Sequence, residues 1–146
     1  MQDRSKGRTG SNPAATRYLV LYNTLCAAAR TTILVSAVYL WYTQGSSVVW
    51  DKLNVPVRWV EALTALEFVH AVAGLVRAAP ATTALQVAGR NTVVWAITRN
   101  YPGVAAQEWA YSSMLVAWNA ADAVRYAYFA MDRGLGAVPG MLSWLK

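Results

Sequence analysis

From Tyr18 to Tyr42 the sequence is apolar apart from Asn23, Arg30 and a few hydroxyls. As a helix rising about 1.5 Å per residue, those 25 residues cover the roughly 30 Å of hydrocarbon in a bilayer. Three more apolar stretches follow, over about Val57 to Arg77, Ala81 to Thr98 and Trp109 to Met131. Their ends are marked by Gln44-Gly45-Ser46-Ser47, by a short polar loop over Asp51 to Pro56, by Ala78-Ala79-Pro80 and by Asn100-Tyr101-Pro102-Gly103, where turn residues and proline disfavour continuation. No strand-type alternation and no internal repeat stands out. The expectation is all-α: a multi-spanning transmembrane helix bundle with four spans in this sequence.

Composition agrees. Apolar residues make up 56% and charged residues 14%, against roughly 25% charged in an average soluble domain. Seven Trp and eight Tyr outnumber two Phe, the skew expected where rings sit between hydrocarbon and water. Most of the basic residues behind the net charge of +6 are strung singly between apolar stretches and only Arg4, Lys6 and Arg8 cluster, without the basic stripe that nucleic-acid binding requires, so no nucleic-acid partner is expected. Cys26 is the only cysteine, which excludes an internal disulfide and a cysteine-based metal site; it reads as a small apolar helix residue. Met1 to Thr16 is polar and lacks the pattern of a cleaved secretory signal.

Residues 1–16 are therefore expected to be a disordered tail and residues 17–146 a transmembrane helical domain. Arg4, Lys6, Arg8 and Arg17 against Asp3 place that tail in the cytosol by the positive-inside rule. Gly134, Gly136, Pro139 and Gly140 break the chain after the fourth stretch. Met141 to Lys146 then reads as the start of a further apolar helix, so the domain is expected to be C-terminally incomplete.

Every stretch carries charge: Arg30, then Glu61, Glu67 and His70, then Arg90, then Asp122 and Arg125. An unpaired charge near the bilayer centre costs about 2.5–3.5 kcal/mol on insertion scales, and a soluble helical bundle is the rival reading. Placement favours the membrane. Glu67, His70, Gly74 and Arg77 share one helix face; Gln86, Arg90 and Val93 share another; Tyr111, Leu115, Trp118, Asp122, Arg125 and Phe129 share a third. Polar faces turned inward, with apolar faces toward lipid, fit that pattern. Pairing Arg30, Arg90 and Arg125 with Glu67 and Asp122 leaves one surplus positive charge. That surplus would seat an acidic substrate group, unless these are structural ion pairs between helices. His70, the only histidine, reads as a hydrogen-bonded core residue, and no metal site or cofactor is expected.

Four blocks of residues resemble a known family. Tyr18-Leu19-Val20-Leu21-Tyr22-Asn23 is similar to the Y-L-x-x-Y-N opening of the first span in the 3-hydroxyacyl-CoA dehydratases, also called protein tyrosine phosphatase-like proteins. Leu66-Glu67 through His70 to Gly74-Leu75-Val76-Arg77 resembles that family's L-E-x-x-H-x-x-x-G-L-V-R. Thr82 to Arg90 is similar to its T-x-x-Q-V-x-S-R, and Ala117-Trp118 with Arg125-Tyr126 and Tyr128 to its fourth-span pattern. Asp122 stands where the family has Glu, Gly89 where it has Ser, and Arg30 where an apolar or aromatic residue is expected.

The resemblance implies a six-span endoplasmic-reticulum enzyme with cytosolic termini that dehydrates (3R)-3-hydroxyacyl-CoA to trans-2-enoyl-CoA in very-long-chain fatty-acid elongation. Its partners would be the acyl-CoA substrate, the lipid bilayer and other elongation-cycle enzymes. Glu67, His70, Arg90, Asp122, Arg125 and Tyr126 would form the substrate-binding or structural polar core. The family's catalytic Tyr and Glu lie in a Y-P-x-G-x-x-x-E motif expected beyond Lys146, so none of the residues present is expected to be catalytic. Tyr101-Pro102-Gly103 with Glu108 imitates the motif's Tyr-to-Glu offset, but with its Gly one place early and in the turn between spans three and four. A non-catalytic membrane scaffold, or truncated paralogue, within the elongation complex is the alternative. Phosphatase chemistry, suggested by the older family name, needs a Cys nucleophile in a phosphate-cradling loop, which Cys26 does not occupy.

Overall fold

The first helix begins earlier than its apolar stretch. Asn12 accepts a hydrogen bond from the Ala14 N–H (3.0 Å) and Pro13 opens the first turn, so the cap and the fixed proline φ start α1 at Pro13. Residues 12–16, expected in the tail, belong to this helix end. The structure, a computed structural model, describes residues 12–76, 78–107, 109–136, 138 and 140. The rest of the expected tail, Arg77, Glu108 and the expected helix start at 141–146 lie outside them.

Helix α1 (Pro13–Gln44) is followed by α2 (Ser46–Thr64), α3 (Leu66–Val72), α4 (Pro80–Asn91), a π-helical segment (Thr92–Thr98), α5 (Pro102–Gln107) and α6 (Trp109–Gly134). No strand occurs among the described residues. Gly45 separates α1 from α2 at φ 92°, ψ 173°, a region open almost only to glycine. A Cβ there would meet nothing within 4 Å, so the cost of Gly45→Ala is purely conformational. We expect it to lower stability by about 1–3 kcal/mol, read as a fall in the thermal midpoint of the purified protein; an unchanged midpoint would show that the turn can re-form.

The polar loop expected over Asp51 to Pro56 is instead helical, inside α2. Val49, Leu53, Val57, Glu61 and Thr64 make one buried stripe at helical spacing, and that packing outweighs the polar residues between them. The Asn54 side chain donates to the Trp50 carbonyl (2.8 Å), keeping its own polarity within the helix. The single stretch expected from Val57 to Arg77 is divided at Ala65 and ends at Gly74 (φ 69°). There the Leu75 and Gly74 N–H groups return to the carbonyls of His70 and Ala71, a glycine-terminated helix end.

The helices run up and down. Helix α1 packs most extensively along α6 and also along α2. Position Gly134 lies against Val20, Tyr22 faces Tyr126, and Ile33 and Ala37 pack with Tyr111 and Leu115, so α1 and α6 are antiparallel. The described chain thus returns to the end at which it starts. Along the bundle the interior divides in two. Ile33, Ala37, Val49, Leu53, Val94 and Leu115 form an apolar core toward the α1–α2 turn. Nearer the chain's start, Asn23, Arg30, Glu61, His70, Asn119 and Asp122 are buried.

Helix α1 is the one described helix long and apolar enough, by length and composition, to cross a bilayer. Helix α6 is long enough but carries Asp122, Arg125, Asp132 and Arg133.

Candidate functional site

Arg30, at the centre of α1, is 0% exposed, and Glu61 of α2 is 1% exposed. Arg30 Nη1 donates to Glu61 Oε1 (2.6 Å) and to Asn119 Oδ1 (3.3 Å). Its Nε lies 3.4 Å from Asp122 Oδ2. Arg90, from the last turn of α4, donates through Nη2 to Glu61 Oε1 (2.9 Å) and through Nη1 to Asp122 Oδ2 (2.6 Å). Helices α1, α2, α4 and α6 therefore meet in one charge network. Its geometry is held from outside: Thr64 donates to the Glu61 carbonyl (2.7 Å), Asn119 donates to the Leu115 carbonyl (2.8 Å), and the Arg90 guanidinium lies 4.7 Å from the centre of the Trp118 ring.

A second cluster adjoins it. Arg125 forks onto Glu67, Nη2 to Oε1 at 2.9 Å and Nη1 to Oε2 at 3.2 Å, the bidentate geometry in which guanidinium and carboxylate bind best. Tyr126 donates its hydroxyl to the same Oε1. Arg125 Nη2 also lies 3.5 Å from Asp122 Oδ1, which joins the two clusters through Asp122.

His70 shares a hydrogen bond with the Tyr18 hydroxyl (2.9 Å), and Tyr22 meets its ring edge-on, 4.7 Å between centroids. It is buried, a hydrogen-bonded core histidine as expected from the sequence.

All six residues expected in the polar core lie in or beside these clusters. Glu67, Arg90, Asp122 and Arg125 line one cavity of about 350 Å³ together with Thr64, Gln86 and Val87. Tyr126 braces Glu67 from behind, and His70 sits on the Tyr18–Tyr22 side.

One expectation is corrected. The surplus positive charge disappears because Glu61 joins the network, so that Arg30, Arg90 and Arg125 meet the three carboxylates of Glu61, Glu67 and Asp122. Glu61 had been recognised as an ionisable residue in the second stretch but not as a partner. An unbroken helix would turn the six residues from Glu61 to Glu67 through about 600°, leaving the two carboxylates about 120° apart. Ala65 stays in the right-handed helical region (φ −60°, ψ −23°), and the two carboxylates meet different partners, Glu61 the arginines of α1 and α4 and Glu67 that of α6.

Asn119 and the Tyr18–Tyr22 pair were also missed as parts of the site. Asn119 lies seven residues before Tyr126 and three before Asp122, on the same helix face, which was the available signal.

The arrangement presents dipoles and paired charges rather than a net charge. Each carboxylate faces a guanidinium, and among the described residues no group of three or more His, Cys, Asp or Glu is placed to hold a metal ion. A neutral polar group entering the cavity would find both guanidinium donors and carboxylate acceptors. Tyr101 is 65% exposed and lies at the other end of the bundle from this cavity.

Similarity to known proteins bears on the same residues. A probable very-long-chain (3R)-3-hydroxyacyl-CoA dehydratase of Schizosaccharomyces pombe is 34% identical over 131 residues, covering 89% of this chain and 62% of the relative. The very-long-chain (3R)-3-hydroxyacyl-CoA dehydratase PASTICCINO 2 of Arabidopsis thaliana is 28% identical over 129 residues, 88% of this chain and 58% of its own length. The very-long-chain (3R)-3-hydroxyacyl-CoA dehydratase 2 of Mus musculus is 26% identical over 140 residues, 95% of this chain and 54% of its own. The chain thus spans under two thirds of the length of each of these relatives. No solved structure matches. The family model described as protein tyrosine phosphatase-like protein, PTPLA, matches residues 61–146, the part that contributes Glu61, Glu67, Arg90, Asp122 and Arg125, and the chain belongs to that family.

Proposed function

We propose that this chain forms a four-span bundle of a very-long-chain (3R)-3-hydroxyacyl-CoA dehydratase in the endoplasmic-reticulum membrane, acting in fatty-acid elongation. The observation that carries the membrane part is inverted polarity. Arg30 and Glu61 are sealed inside, while Leu21, Leu25, Val35, Trp59 and Leu85 are each more than half exposed. Water as the outer solvent would leave that apolar surface uncovered, whereas lipid covers it and drives the charges inward to pair. Helix α1 has the length and composition of a span. In this reading α2 with α3, α4 with its π-helical continuation, and α6 complete the set. Their intramembrane charges are tolerated because they are paired.

The relatives' names supply the reaction class. Dehydrating a 3-hydroxyacyl thioester needs a base for the proton alpha to the carbonyl and an acid for the departing hydroxyl. In this proposal a Tyr and a Glu outside residues 1–146 do that work. The cavity at Glu67, Arg90, Asp122 and Arg125 receives the polar part of the substrate, its guanidinium hydrogens toward the carbonyl or hydroxyl oxygen. The charge balance of the network also favours a second reading, a non-catalytic scaffold in which these pairs only join helices.

Two measurements test the proposal. Alkaline carbonate should leave the protein in the membrane pellet; its release would refute the spanning bundle. Residues 1–146 alone should give no enoyl-CoA from a 3-hydroxyacyl-CoA, while a full-length reading frame carrying the Y-P-x-G-x-x-x-E segment should turn over. Turnover by residues 1–146 refutes the external catalytic pair, and an inactive full-length protein favours the scaffold.

A further inference from the structure

One helical turn from Glu61, on the side of the charge network toward the α1–α2 turn, two arginines approach one indole. The Arg58 guanidinium carbon lies 5.6 Å from the centre of the Trp95 ring and that of Arg99 lies 5.9 Å from it, which puts the two cations within about 12 Å of each other. Trp59 meets Trp95 edge-on at 6.2 Å. Arg30, Arg90 and Arg125 each pair with a carboxylate, but among the described residues neither Arg58 nor Arg99 lies within ion-pair distance of one. Arg58 is also pre-oriented. Its Nη2 donates to Asn54 Oδ1 (3.2 Å), and Asn54 is tied to the Trp50 carbonyl.

The position of this pair along the bundle matters as much as its charge. Helix α4 and its continuation run from Pro80 to Asn100 before the chain leaves the helix at Tyr101; at about 1.5 Å per residue that segment spans about 31 Å, one hydrocarbon thickness. Arg99 therefore sits at its boundary. Tyr101 and Trp109 are each about two-thirds exposed at this end, as aromatic side chains are where hydrocarbon meets water. Val55 and Ile97 are about half exposed on the same elements, offering apolar surface beside the cations.

We infer that Arg58, Arg99, Trp95 and Trp59 form a binding site for the headgroup phosphate of an anionic glycerophospholipid. The guanidinium forks take the phosphate oxygens, the Trp95 indole holds both cations in place with Trp59 against its edge, and Val55 and Ile97 contact the acyl chains. Those apolar neighbours favour a lipid over a free phosphate. The inference rests on the spanning-bundle reading.

The test uses the full-length protein in nanodiscs of phosphatidylcholine containing a minority of phosphatidylserine, with retained lipid counted by native mass spectrometry. Phosphatidylserine should be retained over phosphatidylcholine. Attraction to anionic lipid is worth a factor of about five per arginine near the surface, so Arg58→Gln with Arg99→Gln should weaken retention by roughly twenty-five-fold. The control pair Arg17→Gln with Arg133→Gln, at the other end of the bundle, should leave it unchanged. Unchanged retention in the Arg58/Arg99 variant, equal loss in the control, or displacement by inorganic phosphate or free coenzyme A as readily as by phosphatidylserine vesicles would each overturn the site. Carbonate extraction separates the two failures. A protein that stays in the pellet yet shows no lipid preference refutes only the headgroup site, and one released from the pellet refutes the spanning bundle and the site together.

Discussion

Glu61→Ala should destabilise the protein by about 3–5 kcal/mol, the cost of leaving a buried charge without its partner. Glu61 Oε1 accepts from both Arg30 and Arg90, and the two arginines differ in what remains to them. Arg90 is 22% exposed, keeps its 2.6 Å contact to Asp122 and still rests on Trp118. Arg30 is fully buried, and it keeps only Asn119 at 3.3 Å and Asp122 at 3.4 Å. Most of the loss should therefore come from Arg30. Replacing both partners, Arg30→Met with Glu61→Leu, removes the stranded charge and should recover most of the stability, because a buried pair exchanged for apolar groups of similar size is often neutral. The double-mutant cycle, measured by reversible unfolding in mixed detergent, should yield a coupling of several kcal/mol. A single variant as stable as the parent would mean that water reaches Arg30, and the closed network would be wrong.

The same network shows what the sequence carried and what it did not. Helix α1 was legible because its composition leaves no alternative over Tyr18 to Tyr42. Even its early start was written in Asn12-Pro13, a cap followed by a first-turn proline. Helix α2 was hidden. Asp51, Lys52, Asn54 and Pro56 are local signals for a loop, and only the packing of Val49, Leu53 and Val57 against other helices shows that they ride on a helix. Local polarity reports on local preference, and here tertiary burial outweighs it.

The fourth stretch was legible in kind and shifted in detail. Tyr111, Leu115 and Asp122 are buried as the face analysis expected, but the stripe continues through Asn119 and Tyr126 rather than Trp118 and Arg125. Arg125 reaches Glu67 from the edge of that stripe, and Trp118 packs beneath Arg90. A helix offers positions three and four apart almost equally, so the choice between neighbours is made by the partner helix. Charge pairing was the least legible feature, since it depends on which helices come side by side. Glu67, Arg90 and Arg125 stood out both on their helix faces and in the motif blocks, and the fold brings all three to one cavity.

Placing a charge on the outer face should separate lipid from water as the solvent around this bundle. Val35 is 62% exposed inside the apolar stretch of α1, about two turns from Tyr42, on the side away from Ile33 and Ala37, which are buried. A surface substitution in water, away from caps and pockets, usually changes stability by less than about 0.5 kcal/mol. At the centre of a span, an aspartate costs about 2.5–3.5 kcal/mol, and α1 offers no nearby basic group on that face to offset it. Val35→Asp should thus lower the folded, membrane-inserted fraction by about two orders of magnitude in equilibrium terms, while Val35→Leu should leave it unchanged. Tyr42→Asp supplies the comparison: this residue is 92% exposed at the helix end, where an acidic side chain can reach water, and it should cost far less. The contrast between the two positions carries the result, since a general intolerance of α1 to aspartate would affect both. If Val35→Asp and Tyr42→Asp were equally well tolerated in membranes, the outer faces would be wet, and the paired charges inside would have to be explained as the core of a soluble bundle.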